Sequence, residues 1–125
     1  MNVPANLKFT KDHEWIKIEG LEALIGITDY AQTELGEIVF VELPATGDSI
    51  IMEATFGTVE AVKAVSDLFM PVSGEVIAIN PLLEDKPELI NEDPYGEGWM
   101  IRIQLNNLAE VEGLLSAEAY TALIQ

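Results

Sequence analysis

Cysteine is absent from this 125-residue chain, histidine occurs once, and six basic side chains face 22 acidic ones. Each shortage closes off a class of chemistry. Without cysteine there is no disulfide, no thiolate metal site and no sulfur nucleophile. A lone histidine, His13, leaves no convincing material for a Ser-His-Asp triad or a multi-histidine zinc site. The formal charge of −16 opposes binding to nucleic acid or to an anionic membrane surface. No apolar run approaches the ~18 residues that cross a bilayer. The N-terminal Met1-Asn-Val-Pro-Ala-Asn-Leu-Lys8 has neither the basic and apolar regions of a signal peptide nor the Arg-rich, acid-poor character of a transit peptide. A cytoplasmic protein is expected.

What the chain does have is apolar material, 49% of its residues, enough for a core of its own. One domain over residues 1–125, acting as a monomer, is expected. Its acidity suits steering toward basic partner surfaces, and it suits plain solubility equally well. With so many acids, carboxylate pairs occur at every spacing and carry no argument for a glycosidase. Glu84-Asp85 and Glu92-Asp93 lack the spacing and central Gly of an EF-hand and read as solvated loop acids. Asp12-His13-Glu14 reads as structural or solvated rather than as a metal cluster, and Gly96-Glu97-Gly98 as turn chemistry. No metal site and no catalytic residue are expected.

Leu7–Thr10 and Glu14–Glu19 read as strands, and a turn at Gly20 leads to a third at Leu24–Ile27. Thr28 caps a short helix that Gly36 ends. Glu37–Leu43 is a strand halted by Pro44, and Ser49–Ala54 resumes extended structure. Beyond Glu75–Ile79 comes an irregular acidic stretch, with a short helix before Pro87. The alternation over Trp99–Leu105 places Trp99, Ile101, Ile103 and Leu105 on one face and Met100, Arg102 and Gln104 on the other. Ser116 opens a C-terminal helix running to about Leu123. Many short strands with little helix predict a β-sandwich or barrel.

One stretch stands apart. Val59–Val62 and Val65–Phe69 are β-branched or apolar runs separated by Lys63-Ala64, which predicts a hairpin with Lys63 at its tip. Neither tip residue accepts positive φ easily, so the turn is poor by the usual chemistry. A lysine there offers a primary amine on a long stem, which can be acylated. From composition and spacing alone, an ordinary solvated lysine and a modified one both fit. Gly74, after Pro71-Val-Ser73, is expected to hold a positive φ at the turn into the next strand.

Glu60-Ala-Val-Lys63-Ala-Val-Ser-Asp67, followed by Met70-Pro-Val-Ser-Gly74-Glu-Val, resembles the lipoylation site of the glycine cleavage system H proteins. Further matching segments are His13-Glu-Trp15, Gly26-Ile-Thr-Asp-Tyr-Ala-Gln32, Leu35-Gly-Glu-Ile-Val39 and Asn91–Trp99, with Gly47 and Gly74 framing the lysine. Val62 and Ala64 flank Lys63, whereas biotin carriers usually have Met on both sides and lipoyl domains of 2-oxoacid dehydrogenases typically have Asp before the lysine. The resemblance implies a mainly β fold, a lipoyl-domain-like barrel-sandwich hybrid of two packed antiparallel sheets with short peripheral helices and a C-terminal helix. It implies covalent lipoate on Lys63, with Glu60 and Gly74 at positions that help lipoylating enzymes recognise the site. It further implies a carrier rather than an enzyme. Such a carrier would take the aminomethyl group of glycine from a pyridoxal-phosphate decarboxylase to a tetrahydrofolate-dependent aminomethyltransferase. A dihydrolipoamide dehydrogenase would then reoxidise it. A lipoylated storage or interaction protein outside glycine cleavage is the alternative.

Overall fold

The computed structural model describes residues 1–125. In chain order the strands are β1 (Lys8–Phe9), β2 (Glu14–Glu19), β3 (Glu22–Ile27), β4 (Ile38–Glu42), β5 (Ser49–Ile50), β6 (Thr55–Ala61), β7 (Val65–Phe69), β8 (Gly74–Ile79) and β9 (Ile101–Leu105). Helices α1 (Asp29–Leu35), α2 (Leu89–Glu92) and α3 (Ala117–Ile124) lie between or after them, with 3₁₀ turns at Pro81–Leu83 and Leu108–Gly113. The strands form a six-stranded sheet in the order β1-β2-β3-β9-β8-β5 and a three-stranded sheet in the order β4-β6-β7. All pairings are antiparallel. The mainly β, two-sheet architecture is the one anticipated.

Alternation builds the core. Ile16, Ile25, Val76, Ile101 and Ile103 of the large sheet meet Ile38, Phe56, Val59, Ala61 and Leu68 of the small one, all buried in one cluster. Each such Val, Leu, Ile or Phe side chain contributes roughly 1.5–3 kcal/mol on burial. The large sheet has a second apolar site on its other side, where Leu7, Phe9 and Trp15 pack with Tyr120 of α3. The Phe9 and Tyr120 rings stack with centroids 4.7 Å apart.

Three local expectations need correction. Extended structure after Ser49 stops at Ile50, because Glu53 turns the chain with φ of 73° and its N–H donates to Met70 O at 2.8 Å. The last strand begins at Ile101, and Met100, expected on the polar face, is fully buried, its N–H donating to Ile25 O at 2.8 Å. The period-2 pattern fails at that strand entry, where both sides of the chain are covered. Before Pro87 the expected helix is a single 3₁₀ turn capped by Asn80, and a further helix, α2, follows the proline.

The helix cap was legible. Thr28 Oγ1 accepts from Ala31 N at 3.2 Å, and Gly36, at φ 82°, ends α1 with its N–H donating to Gln32 O at 2.9 Å. The cap places the end of α1 beside the β6–β7 hairpin.

Candidate functional site

Lys63 lies in the connection between β6 and β7. Ala61 N donates to Ala64 O at 2.7 Å, so the central pair of the turn is Val62-Lys63, one residue earlier than expected. The turn also avoids the difficulty that its composition posed, since neither residue has a positive φ. A second bond, from Val62 N to Glu37 O at 3.0 Å, ties the tip to the segment entering β4. A hairpin tip held by its own strands and by a neighbouring strand is a stiff platform.

The Lys63 side chain is exposed and passes over the end of α1. A Cβ on Gly36 would lie 3.2 Å from Lys63 Cε and 3.8 Å from Nζ. Gly36 therefore serves twice, accepting a left-handed φ and leaving room for the lysine stem. The ion pairs of the chain involve Lys17 and Arg102, not Lys63. The ammonium is free.

Glu60 is exposed on β6, opposite Phe40 of β4 on one side and Val65 of β7 on the other. That puts it on the outer face of the small sheet, close to the tip as expected. Gly74 is elsewhere. It opens β8 in the large sheet, pairing with Ile50 and Leu105, and it is buried. Its φ is not in the left-handed region, so the conformational argument for glycine is wrong. The requirement is space: a Cβ would stand 2.7 Å from Gln104 O and 2.8 Å from Ile103 Cδ1. Backbone from the neighbouring strand fills the place of a side chain.

A cleft of about 270 Å³ runs between α1 and β7, with Leu35 and Ser66, neighbours of the lysine platform, among its walls. Its floor is apolar, with Ile27, Val59 and Leu68 buried and Leu35 half-buried, and Glu14 and Glu34 supply carboxyls. Sequence reasoning weighed Glu14 only within Asp12-His13-Glu14 and did not anticipate a buried acid. Glu14 is 2% exposed, its Oε1 accepting from Thr10 Oγ1 at 2.7 Å and its Oε2 from Phe69 N at 3.3 Å. Burial pushes its carboxyl up from the ordinary 4.5 to about 7, against the opposing pull of those two hydrogen bonds. Its signal in the sequence was weak: a carboxylate at the first position of an otherwise apolar-alternating strand.

His13 takes the structural role expected of it, in an unusual conformation, with φ of 69°. Its Nδ1 lies 2.8 Å from Tyr120 Oη, which lies 2.7 Å from Thr28 Oγ1. This chain of contacts joins α3 to the cap of α1. Burial lowers the His13 pKa, with Asp12 and Glu34 pulling the other way. No group of three His, Asp or Glu side chains is placed to hold a metal ion.

A model of the glycine cleavage H-protein family matches residues 7–125. A glycine cleavage system H protein from Bacteroides fragilis is 54% identical over 99% of this chain and 98% of its own length. One from Magnetococcus marinus is 54% identical over 100% of this chain and 89% of its own. The crystal structure of a glycine cleavage system H protein from Mycobacterium marinum superposes with a TM-score of 0.88 at 38% identity, covering 96% of this chain and 97% of that one.

Proposed function

The chain belongs to the glycine cleavage H-protein family, and on that premise we propose that it is the lipoyl carrier of the glycine cleavage system, with lipoate in amide linkage at Lys63. The observation that carries this reading is an exposed lysine without an ion pair on a fixed hairpin tip, beside a cleft. The residues suit the group. An amide needs an accessible amine, and the tip offers one with room for its stem over Gly36.

Attached there, lipoate would supply the dithiolane chemistry for passing an aminomethyl group from a pyridoxal-phosphate decarboxylase to a folate-dependent aminomethyltransferase, with dihydrolipoamide dehydrogenase as the third partner. The protein's part is to hold, orient and shield. Leu35, half-buried in the cleft wall, would pack against an acyl chain lying there, and Glu34 would favour an amine cation carried on it. The β6–β7 platform fixes where the arm pivots. Glu60 faces outward near the pivot, where a lipoylating enzyme can contact it. Gly74 keeps the β8–β9 spacing under the sandwich, so its part in recognition is indirect.

Exchange of labelled bicarbonate into glycine, catalysed by the decarboxylase, tests the reading. The lipoylated chain should support exchange and Lys63→Arg should not, because a guanidinium cannot form the lipoyl amide. A lipoylated chain that leaves the decarboxylase silent would be a storage or interaction protein instead.

A further inference from the structure

The outer face of the small sheet exposes large apolar side chains among its carboxylates. Phe40, Glu60 and Val65 stand directly opposite one another across β4, β6 and β7, so their side chains share one face. Phe40 is 52% exposed and Val65 66%. The tip residue Val62 is 71% exposed. Strict alternation from buried Ile38 would expose Val39 and bury Phe40, and the β-bulge between Ile38 and Phe40 brings Phe40 out as well. Single exposed apolar residues are ordinary. Phe40 and Val65 on one face, with Val39 and the tip residue Val62 exposed in the adjoining segments, form a patch beside the hairpin tip. Its border is acidic: Glu37, Glu42 and Asp67 are exposed around it, with Glu60 in its middle.

We propose that this face, centred on Phe40 and Val65, is the surface gripped by the enzyme that acylates Lys63, and that the enzyme meets it with an apolar recess rimmed by Lys and Arg. The proposal rests on the carrier reading and names the partner of the same site. Reach decides which partner it is. An enzyme acting on the finished arm works at the far end of a long tether and can stand off from the sheet. The acylating enzyme has only the bare four-carbon stem of Lys63 to work with, so the hairpin tip must enter its active site. Amide formation joins Nζ to the lipoyl carbonyl of an acyl-phosphate donor. The carbonyl's bond to the phosphate breaks, the phosphate leaves with the electron pair, and the ammonium sheds two protons in all. Whatever surrounds the tip is then buried against the enzyme, and that is Val62, Val65, Phe40 and Val39 with their acidic border. The border supplies the charge complementarity, since three carboxylates around the patch and Glu60 within it select a cationic rim.

The test is the steady-state lipoylation of the full apo chain by a lipoate-attaching enzyme. Phe40→Ser and Val65→Ser should each raise the KM for the chain by about tenfold, as loss of an apolar anchor at an interface does. Phe40→Leu should retain most of the affinity. Ile51→Ser, an exposed apolar position outside this sheet, should leave KM unchanged. Acylation of Lys63 by a small activated ester of lipoic acid should proceed equally in all four variants, which shows the amine intact, and their circular dichroism should match the wild type, which shows the fold intact. A wild-type chain that is lipoylated at Lys63, with KM indifferent to both serine variants, overturns this proposal and leaves the carrier reading standing. A chain not lipoylated at Lys63 at all overturns both.

Discussion

Replacing Glu14 by glutamine should abolish a pH-dependent weakness of the fold. The carboxyl ionises near 4.5 in an unfolded chain and near 7 in the folded one, because burial disfavours its charge. Between those values the folded state binds more protons than the unfolded state, so stability falls as pH rises through the window. The gap, at about 1.4 kcal/mol for each pH unit, corresponds to about 3 kcal/mol lost between pH 4.5 and pH 8. Glutamine has the same shape, and its amide oxygen can accept from Thr10 Oγ1 as Oε1 does at 2.7 Å, while its NH2 gives up the long 3.3 Å bond from Phe69 N. It carries no charge at any pH. Urea unfolding of wild type and Glu14→Gln at several pH values, compared as a difference, cancels the titration of the remaining acids. The variant should match the wild type or fall slightly below it near pH 4.5, and should be the more stable by about 3 kcal/mol at pH 8. A difference that stays flat from pH 4.5 to 8 would refute the argument that burial of Glu14 sets its protonation.

Other perturbations probe the platform and its surroundings. Gly74→Val should cost about 1–3 kcal/mol in urea denaturation, because its Cβ meets Gln104 O and only the backbone can give way. Gly36→Ala should cost about 1–3 kcal/mol, because φ 82° with ψ −155° is a backbone conformation that glycine alone adopts readily. It should also crowd the Lys63 stem, visible as a shift of the lysine side-chain resonances in NMR spectra. Sodium chloride should raise the KM for this −16 chain with the decarboxylase, as the Debye length falls from ~10 Å at 0.1 M to ~3 Å at 1 M. Circular dichroism should not change over that range, and a salt-independent KM with every partner would make the acidity a solubility feature.

The hairpin could be read from sequence because two β-branched runs flank Lys63, and local pattern sets strand pairing. Its centre shifted by one residue because the Ala61–Ala64 bond, not composition, closes the turn. The cap at Thr28 and the stop at Gly36 were legible for the same local reason. Gly74 was misread because its constraint comes from Gln104 and Ile103, thirty residues away in sequence and adjacent only once β8 pairs with β9. The burial of Glu14 was not anticipated because a charged residue at the head of a strand gives no sign that Thr10 and Phe69 N will enclose it. The exposed pair Val39 and Phe40 stayed hidden because a bulge breaks the alternation on which strand reading depends. What escaped was tertiary in each case.

Peptide mapping by mass spectrometry, after incubation of the chain with lipoate, ATP and a lipoate-attaching enzyme, bears most directly on the central claim. One lipoyl increment should appear, on the peptide containing Lys63, and Lys63→Arg should carry none while unfolding at the wild-type urea concentration. An increment on Lys17 or Lys86, or an arginine variant that is still modified, would contradict the assignment of this hairpin as the carrier site.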